Sequence, residues 1–124
     1  LKEIAYVHAE AYAAGELKHG PISLIEHNTL VIAVATVPEL FEKTMSNVKE
    51  VKARGANVLA LTTEDMAEEI TKTADECLLV PRVHPLLQPS LNVVPLQAFA
   101  YYAALARGCD DDKPRNLAKS VTVE

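Results

Sequence analysis

Lysines, carboxylates and histidines move protons or bond to carbonyls, and this 124-residue chain has 17 Asp and Glu and four His as well as its lysines; Lys119, Glu3 and His19 are three such residues. A lysine amine adds to a carbonyl only when neutral, so it needs a pocket that partly desolvates it and lowers its pKa. A carboxylate held on a helix is suited to general acid/base work, and a loop imidazole titrating near neutrality is suited to proton transfer. Residue type alone leaves all three ordinary. Lys119 reads as a solvated charge on a flexible stem near a terminus, Glu3 as the wet face of an amphipathic helix, and His19 as a surface residue. They are far apart in sequence, so whether they act together depends on the elements that carry them.

Other chemistries are less well supported. No G-x-G-x-x-G follows a strand and no G-x-x-x-x-G-K-[ST] occurs, so a nucleotide cofactor is not expected. His8-Ala9-Glu10 has the H-x-E spacing of zinc deaminases, but neither Cys77 nor Cys109 supplies the Pro-Cys-x-x-Cys partner. No two histidines among His8, His19, His27 and His84 are four apart, and no metal site is expected. Two lone cysteines do not make a disulfide framework and suit a reducing, cytoplasmic setting. A net charge of −5 with scattered Lys and Arg offers no field for nucleic acid or an anionic membrane. No apolar run approaches the ~20 residues that span a bilayer.

The elements follow from periodicity. Leu1 to Ala14 reads as a helix with Glu3 and Glu10 on one face, and its pattern is already running at Leu1 without a capping residue, which predicts a start inside a helix of a longer protein. Gly15 loosens it, a short turn carries His19, and Gly20-Pro21 stops it. Leu30 to Thr36 is a continuous β-branched run, the pattern of a strand covered on both faces. Pro38 opens a helix to Arg54 with Glu39 and Lys43 paired at i,i+4, and Gly55 ends it. Asn57 to Thr62 is a second strand, Asp65 to Thr71 a short helix, and Glu76 to Val80 a third strand. After a loop from His84 to Pro89, Ser90 is placed to cap a helix over Leu91 to Ala106 that carries Pro95 and ends at Gly108.

The alternation predicts an α/β three-layer sandwich with a mostly parallel, doubly wound sheet over 1–108, whose ligands bind outside the carboxyl ends of the strands. Residues 109–124 read as an extended C-terminal tail.

Two stretches carry a resemblance. His8-Ala-Glu-Ala-Tyr-Ala-Ala-Gly-Glu-Leu-Lys-His-Gly-Pro21 and Pro114-Arg-Asn-Leu-Ala-Lys-Ser-Val-Thr-Val-Glu124 resemble signature segments of the glutamine:fructose-6-phosphate aminotransferase (isomerising) family. The intervening chain fits in length and pattern as the second of that family's two sugar-isomerase (SIS) subdomains, a flavodoxin- or Rossmann-like fold. The resemblance implies conversion of fructose 6-phosphate, with ammonia freed from glutamine, to glucosamine 6-phosphate in hexosamine biosynthesis. It implies Lys119 as the Schiff-base lysine, Glu3 as the carboxylate that moves a proton between the first two sugar carbons, and His19 as the ring-opening histidine, acting in the site of the neighbouring subunit of a homodimer. The Ala118 backbone would lie near the substrate, and Arg115, Asn116 and Leu117 would fix the tail over it.

The family's glutaminase domain and first SIS subdomain, with its Ser/Thr-rich phosphate loops, are not in this sequence, so the chain alone is expected to be inactive. Two other readings remain open: a non-catalytic SIS module that senses a phosphosugar, and a stand-alone phosphosugar isomerase or deglycase. Neither needs the tail from Pro114 to Glu124.

Overall fold

The computed structural model describes residues 1–115. In chain order the elements are α1 (Lys2–Ala5), β1 (Leu30–Ala35), α2 (Phe41–Lys52), β2 (Asn57–Thr62), α3 (Glu64–Ile70), β3 (Glu76–Leu79) and α4 (Gln88–Ala106), with 3-10 turns over Ala14–His19, Pro21–Leu24 and Pro38–Leu40. The chain divides into two compact units, Leu1–Ala11 with Val93–Glu124, and Tyr12–Asn92.

The Tyr12–Asn92 unit holds a parallel sheet in the order β1-β2-β3. Leu30 pairs with Asn57 and Ala35 with Thr62 along the first ladder, and Leu59 pairs with Glu76 and Thr62 with Leu79 along the second. Each crossover advances one strand in the same direction, so right-handed connections place α2 and α3 on the same face of the sheet. The core there agrees: Met45 of α2 and Ile70 of α3 pack with Ala35 and Ala60, while Val48 and Val51 pack with Ala56 and Val58. Leu17 and Ile22 of the 3-10 turns, with Ile25 just after them, close the second cluster.

The α/β fold with a parallel sheet is thus as the alternation predicts, but the strands are not evenly covered. Leu30, Val34 and Leu78, on the face opposite α2, are 52%, 45% and 38% exposed. Apolar composition reports what a strand can bury, whereas strand order decides which face the crossover helices cover.

Glycines set the helix ends. Gly55 has φ +90, its N–H donates to Lys52 O at 2.9 Å, and Ala56 N–H donates to Val51 O at 3.2 Å, the paired bonds of a left-handed C-terminal cap. Gly108, at φ +66, ends α4 in the same way, with its own N–H on Leu105 O and Cys109 N–H on Ala104 O, both at 2.9 Å.

Four local expectations are corrected. The Leu1 to Ala14 helix shortens to α1, because Tyr6 adopts a left-handed backbone (φ 53, ψ 37) that ends it; a segment of this length has little helical stability of its own. Pro38 does open the next helical segment, but through a 3-10 turn that holds Glu39 outside α2. Lys43 makes no ion pair with Glu39, and its carbonyl instead accepts a bond from Asn47 Nδ2 at 2.8 Å. α4 begins at Gln88, not Leu91, so Ser90 is inside it and caps nothing. Gln88 itself closes the entry, its Oε1 accepting the Val83 N–H at 3.0 Å, and Pro89 suits a first turn because it has no N–H to satisfy. Among the described residues no helix is long and apolar enough to cross a membrane.

Candidate functional site

Glu3 is exposed on α1, in the first unit. The chain leaves α1 at Tyr6 and runs without regular structure to Ala13. Lys2 Nζ lies 3.2 Å from Glu10 Oε1, and His8 Nε2 lies 3.6 Å from the same oxygen. The H-x-E pair is therefore a solvent-facing ion-pair cluster. Among the described residues no group of three His, Cys, Asp or Glu is placed to hold a metal ion.

His19 is in the second unit, at the end of the Ala14–His19 turn. Gly20 follows at φ +145, a backbone region that side chains other than glycine's rarely adopt, and this lets Pro21 start the next turn at once. The imidazole is open to solvent, with Nε2 3.9 Å from Glu16 Oε2. Neighbouring Lys18 holds Glu50 of α2 at 2.8 Å, tying this turn to the sheet unit. Lys119 and Ala118 lie outside the described residues.

The carboxyl ends of the strands carry a buried polar network that sequence reading did not find. Asn92 Nδ2 donates to Thr36 Oγ1 at 2.7 Å, and Asn92 Oδ1 accepts from Gln88 Nε2 at 3.0 Å. Gln88 also bonds Pro81 O at 3.2 Å, so the first turns of α4 lock the loops that follow β1 and β3. Thr62 Oγ1 donates to Ala35 O at 2.7 Å across the same end of the sheet. Thr36, Thr62, Gln88 and Asn92 are all buried, and such groups cost stability unless bonded. The only sequence signal was a threonine at the end of two apolar runs, at Thr36 and Thr62.

Beyond β2 and β3 lies an open cleft lined by Glu64, Asp65, Leu79, Val80, Pro81 and Arg82. At its edge Arg82 Nη2 donates to Asp65 Oδ2 at 2.6 Å and to Thr63 Oγ1 at 2.8 Å. Bonds from the Thr63 hydroxyl and then Arg82 hold the Asp65 carboxyl below its usual range. The guanidinium is occupied by this clip, and neither Glu3 nor His19 lines the cleft.

The opposite end of the sheet is a stability device. Lys52 Nζ sits 2.7 and 2.8 Å from the two Asp75 oxygens and also donates to Ala56 O at 3.1 Å. Asp75 Oδ2 accepts the Val58 N–H at 2.6 Å, so one carboxylate joins α2, β2 and the start of β3. Lys52, then the Val58 amide, lowers the Asp75 pKa. Burial raises that of the Cys77 thiol.

Comparison with known proteins gives a consistent result. The SIS domain family matches residues 1–107. Glutamine–fructose-6-phosphate aminotransferase (isomerizing) of Symbiobacterium thermophilum is 60% identical and that of Clostridium tetani 56%, each over 124 residues, all of this chain and 20% of the relative. The corresponding protein of Methanosarcina acetivorans is 60% identical over the same span. The chain therefore spans about a fifth of the length of these curated relatives. Among solved structures, the C-terminal domain of glucosamine-fructose-6-phosphate aminotransferase from Francisella tularensis superimposes with a TM-score of 0.84 at 38% identity, covering 90% of this chain and 31% of that one.

Proposed function

The chain belongs to the SIS domain family, and from that premise we propose that it is the C-terminal, sugar-phosphate part of a glutamine–fructose-6-phosphate aminotransferase (isomerising). The observation that carries this reading is identity of 56–60% along all 124 residues to proteins of that name. The likeness to the C-terminal domain of one such enzyme supports it.

In this reading Lys119 forms the covalent intermediate. Its neutral amine attacks the C2 carbonyl of open-chain fructose 6-phosphate, water leaves, and the resulting iminium acidifies the C1–H bond. Glu3, as carboxylate, carries the proton between carbons one and two, a general-base contribution of about 10² to 10⁴ in rate. His19 opens the sugar ring, serving the neighbouring subunit of a homodimer, and its exposure on the Ala14–His19 turn is compatible with that role. The tail over 109–124 closes on the sugar, with the Ala118 backbone against it and Arg115, Asn116 and Leu117 fixing its course. Glutamine-derived ammonia and the phosphate-holding loops come from parts of the longer protein outside this sequence. The isolated chain therefore makes no glucosamine 6-phosphate from fructose 6-phosphate and glutamine.

Borohydride trapping with fructose 6-phosphate on the full-length protein tests the assignment. Peptide mass mapping is expected to find the reduced adduct on Lys119 and to lose it in Lys119→Arg. An unmodified Lys119 with sugar bound would refute the Schiff-base role and favour a non-catalytic phosphosugar sensor or a stand-alone isomerase or deglycase.

A further inference from the structure

Tyr6 ends α1, but its side-chain contacts serve neither the sheet unit nor the chemistry proposed above. It is a bulky aromatic with φ 53, in the left-handed region that non-glycine residues rarely occupy, and it ends α1 one turn after Glu3. Such a conformation persists when the surroundings over-determine it. Two contacts do so here. The Tyr6 hydroxyl accepts the backbone N–H of Arg115 at 2.8 Å, across 109 residues of sequence, and the Arg115 guanidinium lies 3.9 Å from the centroid of the Tyr6 ring. One bond fixes the main chain at Arg115, and the other fixes the direction of its side chain.

The path into Arg115 is also held. Gly108 closes α4, and Asp110 Oδ1 then accepts the N–H groups of Asp112 at 3.1 Å and Lys113 at 2.9 Å in a tight turn. From there Pro114, with its restricted φ, delivers the chain to Tyr6. Arg115 is four residues before Lys119, a reach of about 14 Å when fully extended. A chain pinned at Arg115 thus tethers Lys119 by four residues, and tethering of this kind raises the rate of an otherwise diffusive encounter.

We propose that Tyr6 is a positioning residue that anchors the root of the C-terminal tail through Arg115 and so presents Lys119 to the sugar carbonyl. The inference rests on the Schiff-base reading of Lys119. Tyr6 touches neither substrate nor reacting atoms. It acts through the tail, and the contact places that root in the same compact unit as α1, which carries Glu3.

The test uses the full-length protein and two readouts. The first is the borohydride-trapping rate at Lys119 with fructose 6-phosphate. Tyr6→Phe removes the hydroxyl acceptor and keeps the ring, and should slow trapping about 5-fold, the worth of one hydrogen bond. Tyr6→Leu also removes the cation–π contact and should slow it about 10- to 30-fold. Arg115→Ala keeps the backbone N–H and loses only the cation–π contact, so it should slow trapping about 2- to 6-fold, and the Tyr6→Leu/Arg115→Ala pair should be no slower than Tyr6→Leu alone. The second readout is hydrogen exchange at the Arg115 amide without sugar, expected to accelerate several-fold in Tyr6→Phe.

Wild-type trapping rates in folded Tyr6→Leu, unchanged Arg115 exchange in Tyr6→Phe, or multiplicative losses in the double variant would each overturn the proposal. If wild type fails to trap at Lys119, the Schiff-base reading and Tyr6's part in it both fall, while Arg115 exchange still decides whether Tyr6 anchors the tail.

Discussion

Replacing Asn92 by alanine probes the network that locks the carboxyl ends of the strands. Asn92 is 7% exposed and makes two bonds that alanine cannot, to Thr36 and to Gln88. Each is worth about 1 kcal/mol, and Thr36 Oγ1, on a residue 4% exposed, then loses its donor at a further cost of about 1 kcal/mol. Gln88 keeps Pro81 O and the Val83 N–H, so its loss is partial. The higher helix propensity of alanine returns about 0.5 kcal/mol. The net loss is about 2–3 kcal/mol. At a urea dependence near 1.5 kcal/mol per molar, the midpoint falls by about 1.3–2 M. Urea titration followed by circular dichroism measures it, and a double-mutant cycle with Thr36→Val isolates the shared bond. The cycle should return a coupling of about 1 kcal/mol or more, because removing both partners leaves neither polar group stranded. Additive losses, or an Asn92→Ala change below about 0.5 kcal/mol, would refute the network as a lock.

Acid should weaken the Lys52–Asp75–Val58 clamp. The Asp75 pKa is lowered by folding, so its contribution is complete above the ordinary carboxylate range and is lost as pH falls through the depressed folded value. The stability gap between wild type and Asp75→Asn should therefore be widest near neutrality and close as pH falls below the ordinary carboxylate range, as read by urea midpoints across pH; a constant gap would remove the charge from the explanation. Gly55→Ala should destabilise by about 1–3 kcal/mol. Residue 55 needs φ +90, and an added Cβ would sit 3.2 Å from both His27 Cα and His27 Nδ1. Thermal unfolding checks this, and an unchanged midpoint would show that the turn relaxes freely.

The parallel sheet was legible because each strand is a short apolar run bounded by a turn signal, as at Asn57 to Thr62. Both helix ends at Gly55 and Gly108 were legible because a left-handed cap demands a residue type that sequence displays. The N-terminal helix was misread at Tyr6, whose hydroxyl accepts the N–H of a residue 109 positions away. No local pattern encodes that. The same holds for the Thr36–Asn92 bond, which joins residues 56 apart. Glu3, His19 and Lys119 stood out only through resemblance. A carboxylate on a helix or an imidazole on a turn has no signature of its own, since what makes it reactive is the surface facing it.

The monotonic strand order also bears on how the sheet assembles. Leu59 meets Glu76 after closing a loop of about 17 residues, whereas Leu30 meets Asn57 after about 27. The difference in loop-closure entropy is about 0.4 kcal/mol in favour of the second ladder. The first ladder is longer, six residue pairs against four, and gains more once formed. β2 belongs to both ladders and carries Val58, Ala60 and Leu61, three of the most buried side chains among the described residues. Folding can thus begin with β2, α3 and β3 and be consolidated when β1 docks, making β2 the element whose mutations slow folding and β1 the one whose mutations hasten unfolding.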